Sequence, residues 1–393
     1  LSDSREFHIV FLASWYPGPK QPLLGIFIRR HAEAVAQHHK VTVLHAVSDL
    51  SMKEGEFRIE KHENGNLREV ILHYGKKTRK IKFLQAIAHF KLLKKHYRFG
   101  AEKIEQWYGK PDILHLNVVW PLGLIARRLA RMWKIPYVVT EHWTGYQPED
   151  GRYRGYAMRK LTRKTLRRAK AILPVSESLK NAMIKHGLKG NYLVVPNVVD
   201  DELFYSADKP IEGLRLLHVS SLDDAQKNVI GLLRQFVQIK RQHPEAELNI
   251  VGSGADESAI KRLSNELGLT FRGVNFLGKL EGEALAKVYR ESSAFILNSR
   301  YETQGVVLLE ALLSGVPVIV PNIGGIPEFV NETNGVLFDA ADEKGLTKAF
   351  EQWFEKKSSF DPSAIRHEIQ AKFGKQAVAH QLIEIYQNIL SRC

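Results

Sequence analysis

Between Arg300 and Val330 the chain reads RYETQGVVLLEALLSGVPVIVPNIGGIPEFV, a stretch that leaves few choices of fold. A polar loop, Arg300 to Gln304, gives way to an apolar run from Gly305 to Leu313 that breaks at Ser314-Gly315. Val316 to Val320 then reads as a buried strand, and the chain turns again at Asn322-Ile323-Gly324-Gly325. A helix followed directly by a strand without polar alternation belongs in a parallel sheet covered on both faces.

Two carboxylates frame the first half of this stretch, Glu302 in the predicted loop and Glu310 on the predicted helix. If the interval were fully helical they would stand roughly 12 Å apart, about the span from a nucleotide's ribose to a sugar beyond its diphosphate. Between them Gly305 opens a helix, and the first N–H groups of a helix have no intrahelical partner, which suits phosphate oxygens. A pair of glutamates alone would equally suit a buried helix with one acid near its positive end.

The pair comes, however, with Ser-Gly-Val-Pro, an all-apolar strand and a Gly-Gly turn. Together these resemble the signature of the retaining GT-B glycosyltransferases of family 4 (glycosyl transferases group 1), Glu-x7-Glu followed by a small-Gly-x-Pro-Val strand. The resemblance implies two Rossmann-like α/β domains with parallel sheets facing across a cleft, and a C-terminal helix that crosses back to the N-domain. The implied division is 1–208 for the acceptor side, 209–372 for the nucleotide-sugar side and 373–393 for the returning helix. It also implies that Glu310 holds the donor ribose, while Glu302 and the backbone of Thr303, Gln304, Gly305 and Val306 face the donor sugar and diphosphate.

The rest of the chain fits that frame. Strands are expected at Phe7–Ala13, Lys40–Val47, Arg68–His73, Asp112–Leu116, Tyr137–Thr140, Ala171–Val175 and Tyr192–Val195. Helices are expected near Ile26–Gln37, Ile81–Trp107, Leu122–Trp133, Tyr156–Ala169 and Glu177–Lys185. A polar segment, Ala207 to Gly213, separates this half from a second alternation with strands at Leu214–Val219, Glu247–Val251, Val274–Phe276, Ala294–Leu297 and Val316–Val320. A closing helix is expected near Lys375–Ser391. In such sheets ligands gather at the carboxyl ends of the strands.

Further site residues follow from position and resemblance. Gly25, before the first helix, can let backbone approach a phosphate, and with Ile26 it matches a family loop near the diphosphate and the acceptor. His142 follows the strand YVVT and matches a family histidine that contacts the donor sugar; His115 matches a weaker position on the acceptor side. Asn197, in VVPNVVD, resembles the family's Asn-Gly-Val-Asp turn, with Val198 in place of the glycine. Lys227 aligns with a lysine that neutralises the diphosphate, and Lys279 and Leu280 with a turn that meets the nucleobase. The family's second diphosphate cation, an arginine, falls at Ser221 here, in a loop one residue longer, which makes Arg300 a candidate replacement. Glu302, His142 and Lys227 are the expected catalytic residues.

Composition narrows the alternatives. With 393 residues the chain can form two cored domains. The single cysteine, Cys393, excludes a disulfide framework and suits a reducing compartment. No apolar run is long enough to span a bilayer, and Phe7–Ala13 reads as a first strand rather than a signal peptide. No Asp-x-Asp occurs, so a metal-bridged diphosphate and a metal site are not indicated, and no cofactor beyond the nucleotide-sugar donor is expected. The Gly-x-Gly of VGSGADES lacks its third glycine, which argues against a nicotinamide role.

The net charge of +14 is uneven: 36 Lys and Arg against 20 Asp and Glu up to Asp208, and 21 against 23 after it. Two basic runs, Lys76–Arg98 with an amphipathic stripe (Phe83, Ile87, Phe90, Leu93, Tyr97) and Arg152–Lys170, account for much of this. They suit an anionic membrane surface or lipid phosphate, or else a solvated helix face. Neither carries a nucleic-acid docking motif. The expected partners are therefore a nucleotide-sugar donor and a glycan or lipid-linked acceptor, and the expected place is the cytoplasm, at the inner membrane face. A GT-B epimerase or phosphorylase, and a non-catalytic binder of anionic lipid or polymer, are the alternatives.

Overall fold

The structure is a computed structural model that describes residues 5–19, 21–75, 82–206, 213–270 and 272–392. Residues 207–212 of the expected linker 207–213, part of the basic run after Gly75, and Cys393 lie outside the described residues.

In the first half the strands are β1 (His8–Ala13), β2 (Lys40–Ser48), β3 (Phe57–Asn64), β4 (Leu67–Tyr74), β5 (Ile113–Asn117), β6 (Tyr137–Glu141) and β7 (Ile172–Pro174). Between them run α1 (Ile26–Ala36), α2 (Lys82–Tyr108), α3 (Gly123–Trp133), α4 (Tyr156–Leu166) and α5 (Glu177–Lys185). The sheet order is β3-β4-β2-β1-β5-β6-β7, parallel throughout except for the antiparallel β3–β4 pair.

The second half has β8 (Arg215–Val219), β9 (Glu247–Val251), β10 (Val274–Gly278), β11 (Ala294–Ile296), β12 (Val318–Pro321) and β13 (Gly335–Phe338). Its helices are the short α6 (Asp224–Lys227), α7 (Val229–Gln242), α8 (Glu257–Glu266), α9 (Gly282–Arg290), α10 (Val306–Leu313), α11 (Gly345–Lys356) and α12 (Pro362–Phe373). Its sheet is wholly parallel, in the order β10-β9-β8-β11-β12-β13.

Side chains alternate between the two faces of a strand, so a sheet covered on both sides needs two cores. In β1, Val10 and Leu12 join α2, α3 and α5 in one core, while Ile9, Phe11 and Ala13 join α1 in another. In the second sheet Phe295 and Val318 face α10 and α12, whereas Ile296 and Ile319 face α7 and α11. The last helix, α13 (Lys375–Leu390), returns to the first sheet. There its Val378, Ala379, Leu382, Ile383 and Tyr386 complete the core over α1. Arg366 at the crossing donates to the carbonyls of Asp201, Phe204 and Leu313, and Lys375 pairs with Asp200 at 2.7 Å.

Two expectations change. Tyr192–Val195 is not a strand; it follows β7 through Leu193 N–H to Ile172 O and Val195 N–H to Pro174 O, with a single bridge at Tyr192. The next N–H in that series, of Asn197, is given to Gln304 Oε1 instead, so the pairing goes no further. Conversely, β3 was not expected, because its residues are mostly exposed and polar (FRIEKHEN).

Several histidines are fully enclosed in these cores. Burial pushes His8, His31, His45 and His218 down to about 4, and drives His115 and His142 well below the usual range. Such groups take up protons in the unfolded chain first, so their contribution is complete above about pH 6.5 and is lost as pH falls from there toward 4. Glu141, pushed up to about 6 by burial, and Glu33, also raised by burial, act in the opposite sense but are two groups against six. The unfolding free energy from urea titrations should therefore fall steadily between pH 7.5 and 5; a flat profile would mean that these imidazoles are not neutral in the fold.

Candidate active site

The carboxyl ends of both sheets face one seam, and the loops leaving them carry nearly all the polar side chains of interest. The loop after β11 leads into α10, whose N-cap is Gly305 in the left-handed region (φ 82°), with no side chain capping it. Every residue of α10 is apolar except Glu310, so the helix packs under the sheet with its one acid inside. Glu302 precedes it in the loop, and both acids are only 5% exposed.

A buried carboxylate needs a cation or several hydrogen bonds. Glu302 Oε1 accepts from Lys227 Nζ at 2.5 Å and from Ser299 Oγ at 2.9 Å. Lys227 lies at the end of α6, on the loop after β8. Glu310 Oε1 accepts from Arg30 Nη1 at 2.8 Å, and its Oε2 from the Tyr289 hydroxyl at 3.2 Å. Arg30 comes from α1 in the other lobe, so this pair bridges the seam.

The rest of the Glu302–Gly305 loop is also bonded across the seam. Gln147 Nε2 donates to Glu302 O at 2.8 Å, and Ser176 Oγ to Thr303 O at 2.7 Å. Asn197 donates to Gln304 Oε1 from both its backbone N–H and its side chain, at 2.9 and 2.8 Å. Glu328, after the Gly-Gly turn, accepts the N–H groups of Glu177 and Ser178 at the start of α5. The turn must be glycine, since a Cβ on Gly324 would lie 1.9 Å from the carbonyl oxygen of Glu302.

Beside this loop His142 Nδ1 lies 2.9 Å from Asn197 Oδ1, and Asn197's amide NH₂ is already given to Gln304. His142 therefore donates through Nδ1 and presents Nε2 as an acceptor, buried and without a protein partner. Its ring packs on Phe27 with centroids 4.4 Å apart, and His31 stands 5.7 Å away. His31 differs: Nε2 is bonded to Pro196 O at 2.9 Å, and the ring also meets the backbone of Phe27 one turn back in α1. Burial keeps both rings neutral.

Behind His142 sits Glu141, fully buried at the end of β6. It accepts from the N–H groups of Val119, His142 and Trp143 at 3.0 to 3.1 Å and from Tyr146 OH at 3.2 Å. Those four donors fix the loop that aims His142.

The structure thus gathers Glu302, Lys227, Thr303, Gln304, Gly305, Val306, Glu310, Asn197 and His142 along one seam. Gly25 caps α1 at φ 71°, and there a Cβ would meet the Trp15 carbonyl at 2.6 Å; Ile26 begins that helix. His115 is a correction to the acceptor-side expectation. It is wholly buried with both nitrogens engaged, to Tyr386 OH and Thr140 Oγ1, each at 2.6 Å, and so fastens α13 to the sheet. Lys279 and Leu280 follow β10, where Lys279 pairs with Glu281 at 2.7 Å and Leu280 packs on the α10 core. Ser221 is exposed.

Arg300 does not stand in for an arginine at Ser221. Its guanidinium holds the carbonyls of Asp224 and Ala225 and, at 2.7 Å, Asn228 Oδ1, and so braces the turn that carries Lys227. Arg300 and Tyr301 also line a cavity of about 680 Å³ between the lobes, with Gln147, Asn181, Lys185 and Gly324. Neither of the paired acids lines that cavity.

The sequence reading missed Arg30, His31, Glu141 and Gln147. Arg30 and His31 lie together in IFIRRHA directly after Gly25, and Glu141 directly precedes His142, so nearness to recognised positions was the available signal.

The profile of glycosyl transferases group 1 matches residues 177–378, and that of glycosyltransferase family 4 matches residues 24–203. The chain belongs to the glycosyl transferases group 1 family. It is 27% identical over 291 residues to a glycogen synthase of Mycobacterium tuberculosis, covering 70% of this chain and 69% of that one. Among solved structures it resembles sucrose-phosphate synthase from Thermosynechococcus elongatus, at TM-score 0.78 and 21% identity over 99% of this chain and all of that one. It also resembles Anabaena Alr3699/HepE, crystallised with UDP and glucose, at TM-score 0.70 and 16% identity over 98% of this chain and all of that one. These likenesses identify the two-sheet fold as GT-B.

The Arg30–Glu310 bridge gives a direct test of the seam. Arg30→Ala leaves the Glu310 carboxylate buried without its cation and should cost about 3–5 kcal/mol in unfolding free energy, while Arg30→Lys should cost less. A loss under about 0.5 kcal/mol for the alanine variant would mean that solvent reaches Glu310 freely.

Proposed function

We propose that this glycosyltransferase moves a sugar from a nucleoside-diphosphate donor to a glycan, glycolipid or lipid-linked acceptor, with retention of anomeric configuration. The observation that carries the reading is the convergence, on one seam, of Lys227, the uncapped start of α10, the two acids and a neutral histidine with a free acceptor nitrogen. Breaking the donor's glycosidic bond develops negative charge on the leaving diphosphate. Lys227 and the first N–H groups of α10 are preorganised donors for that charge.

In this reading Lys227 turns from Glu302 toward the diphosphate. Glu302 is then released to accept from the sugar's hydroxyl groups, and Glu310 exchanges part of its contact with Arg30 for the ribose hydroxyls. His142 Nε2 accepts from a sugar or acceptor hydroxyl group, which a protonated ring could not do. Arg152, held at 2.5 Å from Asp150, lies within electrostatic reach of Tyr301 and Asp223 across the seam. Attack proceeds on the face the diphosphate leaves, with that phosphate taking the acceptor's proton and the closed lobes excluding water.

Thermal-shift titrations with UDP, GDP, ADP and CMP should show stabilisation by at least one nucleotide. Lys227→Ala and Glu310→Ala should each abolish that stabilisation, and proton NMR of the first product formed should show the donor's anomeric configuration. Failure of every nucleotide to stabilise the chain would refute transfer, and an inverted product would refute retention alone.

A lipid-linked acceptor, and with it a peripheral place on the cytoplasmic membrane face, is supported by the positive charge of the first lobe and by the exposed basic residues of α4. No described helix is long and apolar enough to cross a membrane. The chain should sediment with anionic vesicles and not with neutral ones; equal behaviour toward both would remove the membrane part of the proposal.

A further inference from the structure

The amino ends of the first sheet point away from the seam, and at that end lies a cavity of about 430 Å³. Arg127 and Arg131 reach it from the last turns of α3, Lys134 from the turn that follows, and Arg168 and Lys170 from the segment after α4, all around the buried Tyr137. No acidic residue lines it.

Basic residues commonly collect at helix C-termini, and α3 and α4 both end here. Two helix ends contribute only about one negative charge between them, which leaves most of the five cations unbalanced. Arg127 is the exceptional member. It is 8% exposed, and its Nε is buried without any hydrogen-bond partner. That nitrogen is enclosed by protein, so an anion in the pocket would meet the terminal guanidinium nitrogens of Arg127 rather than Nε. Burial, together with the fields of Arg168 and Arg131, already works against its charge. Tyr137 gives its hydroxyl to Thr165 O at 2.6 Å, so it serves as wall rather than counter-charge.

We infer that this pocket binds a phosphate-bearing anion, with Arg127 as the enclosed donor and Arg131, Lys134, Arg168 and Lys170 as the rim. The chemistry required is a phosphate group, which either a free oligophosphate or a phospholipid headgroup supplies. The site is separate from the seam and does not use the proposed donor-binding residues.

Because the seam is itself proposed to hold a diphosphate, the titrations are made in full-length Lys227→Ala protein. Sodium tripolyphosphate is one probe; short-chain phosphatidylglycerol, kept below its micellar concentration, is the other. Arg168→Ala/Lys170→Ala removes two exposed rim cations, and Lys356→Ala/Lys357→Ala, the outer pair, removes the same charge from the surface of the second lobe. For at least one probe the rim pair should weaken binding about tenfold, as expected for lost charge-assisted contacts, and the outer pair should leave it unchanged. Dependence with tripolyphosphate alone assigns a free oligophosphate, and dependence with the lipid alone assigns a headgroup. Equal weakening by both pairs, or no weakening of either probe by the rim pair, overturns the site. In the Lys227 wild-type background the rim pair should leave nucleotide stabilisation unchanged, so this inference and the donor reading fail separately.

Discussion

One buried ion pair, Arg30 with Glu310, sets the terms for the rest of the molecule. Neither charge could remain inside its own lobe alone, because an unpaired ion in a low-dielectric interior costs several kcal/mol. The two lobes must therefore meet where α1 and α10 point at each other, and the other contacts across the seam settle into that register. Gln147, Ser176 and Asn197 reach the loop between Glu302 and Gly305 because that pair has brought the loop within hydrogen-bond distance. The same loop holds Glu302 against Lys227. A structural requirement for neutralising charge and a chemical requirement for concentrating it are thus met by the same few residues.

The imidazoles show the opposite use of burial. His115 has both nitrogens bonded and functions as a rivet between sheet and helix. His142 has one nitrogen bonded, which fixes the tautomer and leaves the lone pair of the other without a protein partner, whereas His31 is held by the backbone at Pro196 and Phe27. Position at a strand's carboxyl end does not separate these cases. The number of partners does.

Much of this was legible in the sequence. Unbroken apolar runs such as HIVFLA and VPVIV can only be strands buried on both faces, so the two parallel sheets and most of their boundaries followed from pattern. Glu302, Gly305 and Glu310 were legible because one short stretch carries loop, helix start and helix. β3 was not, since an exposed edge strand with a polar sequence has no hydrophobic period to betray it; only the two-residue Gly65-Asn66 turn beside it marks a hairpin. The partners of the acids were also hidden. Arg30 and Glu310 lie 280 residues apart, and nothing local in either segment names the other. Arg300 failed as a stand-in for the same reason: its charge was visible, but its engagement by the α6 carbonyls was a tertiary fact.

The way the chain finishes has a bearing on how such proteins can be recombined. The final helix belongs in sequence to the second lobe and in packing to the first, where Tyr386 meets His115 and four apolar neighbours roof α1. A graft that exchanged everything after the linker would thus carry away a slice of the first lobe's interior. Donor-side modules can be transplanted between relatives only if the last helix stays with its original host, or if the surface it covers is exchanged with it.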